Sequence, residues 1–426
     1  MRFDVLEDWL SWQETLHPHS IDLGLGRIRI VLDRLGWKPP SCPVITVAGT
    51  KGKGSCVALL ESIYRAAGYR VGTFTSPHLR HYSERIQIAG RNITALELCG
   101  VFARIDAARA DLSLTYFEFN TLAALLTFES AMLDVWVLEV GMGGRLDAVN
   151  VVDPDVAVVT SIGLDHTEWL GADLNSIARE KAGIYRANKP AVFGSSTMPV
   201  AIAECIQSVG AILFHLGEHY GYVPQGDNWS WWMRDVHLTH LPVLGIAGSI
   251  QLENASTALA VVHLLAERLP VSVNGLQAGL RTARLAGRFQ VISPPQVQGD
   301  VEWVLDVAHN PMSAQVLASH LSTLRRIKTL GIIGVMGDKD LDGMVLALGA
   351  QVDHWLVVSL PGPRGLSAAV LSSRLQALKV SVMSSAETMA SACEQAVGLS
   401  HQYGLQRIVI CGSFLTVGPA LDWLQF

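Results

Sequence analysis

The segment Ala48-Gly49-Thr50-Lys51-Gly52-Lys53-Gly54-Ser55 has the make-up of an anion cradle. Glycines let backbone N–H groups turn towards phosphate oxygens, the start of the helix expected over Ser55–Ala67 adds positive potential, and Lys53 brings a mobile cation. The spacing is G-x-x-G-K-G-S, shorter than the common G-x-x-x-x-G-K-[ST], because position 47 is Val. What separates it from an incidental glycine-rich turn is its place between an apolar run and an amphipathic one. Three further polar groups stand at the ends of apolar runs: Ser76 in Ser76-Pro77-His78, Glu139 in Val135–Gly141, and His166 in Asp165-His166. A hydroxyl, a carboxylate and an imidazole could fill part of a Mg2+ octahedron, with water and phosphate oxygens completing it. Ser76 could equally be a turn residue before proline, and His166 a satisfied structural histidine. Glu139 has the weakest plain reading, since an unpaired carboxylate in an apolar strand is expensive to bury. A fourth cluster, Asp306-Val307-Ala308-His309-Asn310-Pro311, could close over a nucleotide or be an Asp turn ahead of a helix that starts at Pro311.

Such groups need a scaffold that delivers them to one place. Short apolar runs at Val44–Ala48, Val71–Thr75, Val135–Val140, Val156–Thr160 and Ala191–Gly194 alternate with helical patterns, which predicts a doubly wound, mostly parallel α/β sheet. In such sheets ligands gather beyond the carboxyl ends of the strands, where all of these polar residues fall. From Leu213 to Ile250 the chain becomes tryptophan-rich and turn-broken, as in Asn228-Trp229-Ser230-Trp231-Trp232, and reads as a small antiparallel excursion. Helices are expected over Asn254–Arg268 and Asn274–Ala283. A second α/β series follows, with strands at Trp303–Val307, Gly331–Val335, Trp355–Ser359 and Arg407–Cys411. We therefore expect a P-loop-type ATPase domain over residues 1–286 and a smaller Rossmann-like domain over 287–426. The boundary falls near Gly287-Arg288.

At 426 residues the chain exceeds one ordinary core, so two domains and a catalytic cleft are the natural reading. Half of the residues are apolar and 16% charged, which points to compact globular structure. A net charge of -6 argues against a nucleic-acid partner. Six scattered cysteines without a CxxC pair indicate reduced thiols rather than a zinc site or disulfide framework. The acidic start and the absence of an apolar run of about 20 residues argue for a cytoplasmic protein without a membrane span.

Taken in order along the chain, these motifs resemble the Mur ligase superfamily and, within it, the folylpolyglutamate synthases. The resemblance runs through the loop at Gly49, Thr75-Ser76-Pro77-His78-Leu79, Glu139–Ala148, Asp165-His166-Thr167 and Arg179–Ile184. It continues through Gly287-Arg288-Phe289, Asp306–Pro311 and Cys411-Gly412-Ser413. It implies that Gly49, Thr50, Lys51, Gly52, Lys53, Gly54 and Ser55 meet the ATP phosphates, with Asn254, Arg288 and Asp306 completing the nucleotide site. Ser76, Glu139 and His166 would hold Mg2+, His309 would assist, and Lys181 would be the lysine that the family carboxylates. Thr115-Tyr116-Phe117-Glu118, Asp22-Leu23-Gly24-Leu25 and Leu146-Asp147-Ala148 resemble the segments that hold a pterin, where an aromatic pair could stack on the ring and a carboxylate take its N–H donors. Lys51 departs from the family, which usually carries Asn there.

The implied reaction moves the γ-phosphoryl group of ATP to a substrate carboxylate, giving an acyl phosphate that the L-glutamate amine attacks. Expected acceptors are dihydropteroate and reduced folates, in a monomer whose second domain brings in glutamate and closes against water. The rivals are a folylpolyglutamate synthase that lacks the dihydropteroate activity, a cell-wall Mur ligase, and a nucleotide-binding switch without ligation.

Overall fold

The structure, a computed structural model, describes residues 2–226, 228–248, 250–292 and 301–425. The larger sheet holds β1 (Val44–Ala48), β2 (Val71–Phe74), β3 (Ile86–Ile88), β4 (Arg91–Asn92), β5 (Val135–Glu139), β6 (Val156–Val159), β7 (Pro190–Phe193) and β8 (Ile212–His215). Their order is β4-β3-β2-β5-β1-β6-β7-β8. From β2 to β8 neighbouring strands run parallel, and β3 and β4 add an antiparallel edge. The chain winds away from β1 in both directions, towards β2 and then towards β8. A switch in winding direction opens a crevice at the carboxyl end of the central strand.

Register brings the strand ends level. Val47 lies opposite Glu139, Ala48 opposite Val159, and Phe74 opposite Leu138. The segments after β1, β2, β5 and β6 therefore leave the sheet along one edge. All five residues of β1 and of β5 are buried, as a strand covered on both faces requires.

The helix after β1 spans Lys53–Ala66, so it begins two residues before the expected Ser55 and Lys53 is its first helical residue. Against it packs the helix Val273–Thr282, brought close by Gly279, where an added Cβ would lie 2.4 Å from Ile63 Cα. The Ser62 hydroxyl seals that approach by donating to Gly279 O at 2.8 Å.

The antiparallel excursion is shorter than expected. Ile212–His215 pairs in parallel with β7 and belongs to the main sheet, because its apolar run continues the same winding. Only β9 (Tyr220–Gln225), β10 (Asn228–Met233) and β11 (Val236–Leu241) form the separate sheet, in the order β11-β10-β9. Trp231 anchors it to the helix Gln251–Leu264 by donating Nε1–H to Ser256 O at 3.1 Å.

Two compact units result, Met1–Gly245 with Ile250–Arg284, and Ile246–Ser249 with Leu285–Phe426. The second is built on β12 (Gln290–Ile292), β13 (Glu302–Leu305), β14 (Thr329–Ile333), β15 (His354–Val358), β16 (Val382–Ala386) and β17 (Arg407–Cys411). Their order is β12-β13-β17-β14-β15-β16, parallel except for β12. Sequence patterning shows four of these strands and misses β12 and β16, both at edges. Among the described residues no helix is long and apolar enough to cross a membrane.

Candidate active site

The loop after β1 is tied to the turn after β6. Thr50 N–H donates to Ser161 O at 2.8 Å and Lys51 N–H to Ser161 Oγ at 3.1 Å. Thr160 Oγ1 donates to Lys51 O at 2.6 Å, and Thr50 Oγ1 donates to Gly163 O at 3.2 Å. Gly49 has φ +142, and an added Cβ would lie 2.0 Å from Thr160 Oγ1. Gly52 has φ +88, and its added Cβ would meet Asn254 Oδ1 at 2.4 Å. Only glycine suits both positions, on conformation and on space.

These bonds occupy the amides of Thr50 and Lys51. The donors left for an anion are those of the helix start, where the first-turn amides of Lys53, Gly54 and Ser55 have no intrahelical acceptor. Asn254, buried beside Gly52, donates Nδ2–H to Gln251 Oε1 at 2.9 Å.

Two lysines converge on one carbonyl. Lys53 Nζ donates to Gly49 O at 3.0 Å and Lys181 Nζ to the same oxygen at 3.1 Å. Lys181, on the helix Leu174–Ala182, is 4% exposed and so is not a helix-surface lysine. Burial, and then the nearby Lys53 ammonium, bring its pKa down to about 8, against the opposing pull of Asp165 and Asp147. Burial likewise lowers the Lys51 pKa, against the pull of Asp165.

At the next strand ends, Ser76 N–H donates to Glu139 Oε2 at 3.1 Å, and Glu139 is 5% exposed. His166 has the left-handed backbone φ 48, ψ 41 at the start of a short helix, Thr167–Leu170. A non-glycine residue in that region is held there by its surroundings and marks a site worth chemical attention. Ser76 and His166 line the same cavity of about 340 Å³. Hydroxyl, carboxylate and imidazole are donors that suit a hard divalent cation sharing its shell with phosphate, so these residues fit such an ion.

The same cavity gathers Asp22, Leu23 and Gly24, then Thr115, Phe117 and Glu118, then Leu146, Asp147 and Ala148. Leu25 and Tyr116 are not among its lining residues. The expected aromatic pair is thus split: Phe117 lies over Gly141, whose added Cβ would be 2.5 Å from its ring, while Tyr116 packs edge-on to Tyr82. Glu118 serves local structure. Its Oε2 accepts from Thr115 N at 2.8 Å, and both its oxygens accept from Arg27 Nε at 3.0 and 3.1 Å. Arg27 also donates to Asp22 Oδ2 and to Asp22 O, each at 2.6 Å, and so clamps two cavity walls together. Asp147 accepts from Met142 N at 2.8 Å and Val149 N at 3.0 Å, and burial raises its pKa to about 6.

In the second unit Asp306 takes Phe289 N at 2.9 Å and Ala308 N at 2.8 Å. Burial raises its pKa against the pull of Arg288. The Arg288 guanidinium lies 5.9 Å from the Phe414 ring centroid, and the His309 ring 6.3 Å from it. His309 Nδ1 sits 2.9 Å from Val307 O, which leaves Nε2 as the outward nitrogen.

Sequence reasoning missed Thr160 and Ser161, the partners of the glycine loop, although both follow an apolar strand. It also missed Arg27, Arg85, Ser20, Ile21, Gly141 and Met142. Arg27, in Gly24-Leu25-Gly26-Arg27, carried a weak signal as a cation beside a glycine-broken segment.

Comparison with known proteins agrees with this geometry. Residues 47–196 match the model of the Mur ligase middle domain and residues 287–414 that of the Mur ligase glutamate ligase domain. The Escherichia coli dihydrofolate synthase/folylpolyglutamate synthase is 44% identical over 421 residues, covering 98% of this chain and 95% of that one. The structure of E. coli FolC in complex with DHPP and ADP superposes with a TM-score of 0.89 at 42% identity, covering 99% of this chain and 98% of that one. A bifunctional folylpolyglutamate synthase/dihydrofolate synthase with Mn, AMPPNP and L-glutamate bound gives a TM-score of 0.86 at 43% identity, again over 99% and 98%. With a nucleotide-type loop, a neighbouring cavity and both family domains in sequence order, this chain belongs to the dihydrofolate synthase/folylpolyglutamate synthase family of Mur ligases.

Proposed function

We propose a division of labour among these residues for an ATP-dependent ligase that joins L-glutamate to 7,8-dihydropteroate and to reduced folates through an acyl phosphate. The observation that carries it is the convergence of Lys53 and Lys181 on Gly49 O beside a cavity whose rim includes Ser76 and His166. The helix start at Lys53–Ser55 takes the ATP phosphates, and the Lys53 ammonium offsets charge on the transferring phosphoryl group. Ser76, Glu139 and His166 hold a divalent cation, Mg2+ in the cell, which draws charge from the phosphate oxygens when bound. The cavity takes the pterin, with Phe117 offering a ring face. Asp147 keeps its carboxylate in place on two backbone amides.

Lys181 is the carboxylation site. Carbon dioxide adds only to a neutral amine, and a pKa of about 8 leaves roughly a quarter of the side chain neutral at pH 7.5, against ~0.1% for an ordinary lysine. The carbamate converts one of two crowded cations into an anion, relieving the repulsion from Lys53 that adds to burial in lowering the pKa. The second unit, as the glutamate ligase domain, handles L-glutamate. A cytoplasmic monomer is the state we infer, in keeping with six free thiols.

The test is ADP release by the full chain with ATP, Mg2+ and L-glutamate, first with dihydropteroate and then with tetrahydrofolate. Release with both is expected, and Lys53→Ala should lower each by at least about a hundredfold. Release with tetrahydrofolate alone would leave a folylpolyglutamate synthase, and nucleotide binding without acceptor-dependent release would leave a switch.

A further inference from the structure

Among the described residues that line the cavity, no carboxylate forms an ion pair with Arg85. This arginine is 9% exposed and lines the cavity. Its Nε donates to His78 Nδ1 at 2.8 Å, and its guanidinium carbon lies 5.7 Å from the ring centroids of both Tyr82 and Tyr116. In that bond the His78 ring nitrogen is the acceptor, so it holds the guanidinium by one edge without bringing a negative charge to it. Among the described residues no acceptor reaches the two Nη groups. The cavity's carboxylates are engaged elsewhere: Glu118 and Asp22 by Arg27, and Asp147 by the amides of Met142 and Val149.

A guanidinium that is nine-tenths buried, stands 5.7 Å from two aromatic ring centroids and is fixed at one nitrogen has its remaining fork available to whatever fills the cavity. That fork matches a carboxylate in two parallel hydrogen bonds. Its location says which end of the ligand it meets. Arg85 O accepts from Thr75 N at 2.9 Å, which sets Arg85 beside the strand end that leads into Ser76. Ser76 in turn holds Glu139. Arg85 therefore stands at the end of the cavity where phosphoryl transfer would occur.

We infer that Arg85, oriented by His78 and by the Tyr82 and Tyr116 rings, binds the carboxylate of the pteroate-type acceptor and aims it at the phosphoryl donor. This inference rests on the proposed ligase reading and adds the residue that selects an acid as acceptor. His78 is a positioning residue, since it touches Arg85 and not the substrate.

The experiment compares two ligands on two proteins by calorimetry, with AMPPNP and Mg2+ present: dihydropteroate and the same molecule lacking the carboxylate. Wild type should bind dihydropteroate at least about tenfold more tightly than the decarboxylated analogue, and Arg85→Gln should bind the two about equally. Steady-state assays should show the dihydropteroate KM rising about tenfold or more in Arg85→Gln, with the ATP KM unchanged. Equal binding of the two ligands by wild type overturns the inference even if no Arg85 variant folds. So does an Arg85→Gln protein that discriminates as strongly as wild type. Failure of the ligase reading is seen separately, as wild type that turns over neither acceptor.

Discussion

The ε-amino group of Lys181 shows how much one carbonyl oxygen can decide. Burial, and then the Lys53 ammonium that shares Gly49 O, make the charged form of Lys181 costly. The sign of the stability effect follows from proton counting. Below about pH 8 folded and unfolded chains both hold the Lys181 proton, and the native state bears the full penalty. Between about 8 and the ordinary value of 10.5 the unfolded chain alone keeps it, so stability rises with pH. Urea denaturation at pH 7.5 and pH 10 should show wild type gaining on the order of 2 kcal/mol relative to Lys181→Met, a difference that isolates this group. In 13C-bicarbonate a carbamate resonance should appear in wild type and be absent from Lys181→Met. At the glycines the argument is steric. In Gly49→Ala the new methyl carbon would overlap Thr160 Oγ1, so a loss of about 2–4 kcal/mol in denaturation midpoint analysis and weakened nucleotide binding are expected.

Among elements, Arg27 joins the 20–24 segment to the helix Tyr116–Ser130. Glu118 is 3% exposed, so removing its cation strands a buried carboxylate. Arg27→Met should destabilise the first unit by about 2–4 kcal/mol by chemical denaturation, and adding Glu118→Gln should recover a good part of that. If the single variant is as stable as wild type, the clamp carries no energetic weight. This pair also shows what the chain's pattern could and could not announce. Strand cores such as Val44–Ala48 and Arg407–Cys411 are legible because burial on both faces forces continuous apolar runs. Polar residues at their ends were legible for the same reason, since each interrupts an apolar run where a parallel sheet presents ligands. Arg27 and Glu118 are 91 residues apart, and nothing local marks them as partners. Edge strands β12 and β16 escaped because a half-covered strand has no such run, and Tyr116 was misjudged because its neighbour Tyr82 comes from a distant turn.

For the molecule as a whole, the level ends of β1, β2, β5 and β6 unite residues drawn from Gly49 to His166 on one sheet edge. A ligand that bridges these segments should therefore stabilise the whole first unit. AMPPNP with Mg2+ at a hundred times its dissociation constant should add about 2.7 kcal/mol, seen as a rise of a few degrees in that unit's melting temperature. Chelation or Lys53→Ala should remove most of the rise. The lock between Thr50, Lys51 and the turn at Thr160–Gly163 has a consequence for how that ligand arrives. A receptacle already rigid before occupancy surrenders little disorder when filled. Deuterium uptake at the amides of Thr50 and Lys51 should accordingly be slow in the empty enzyme, and filling the site should change it little.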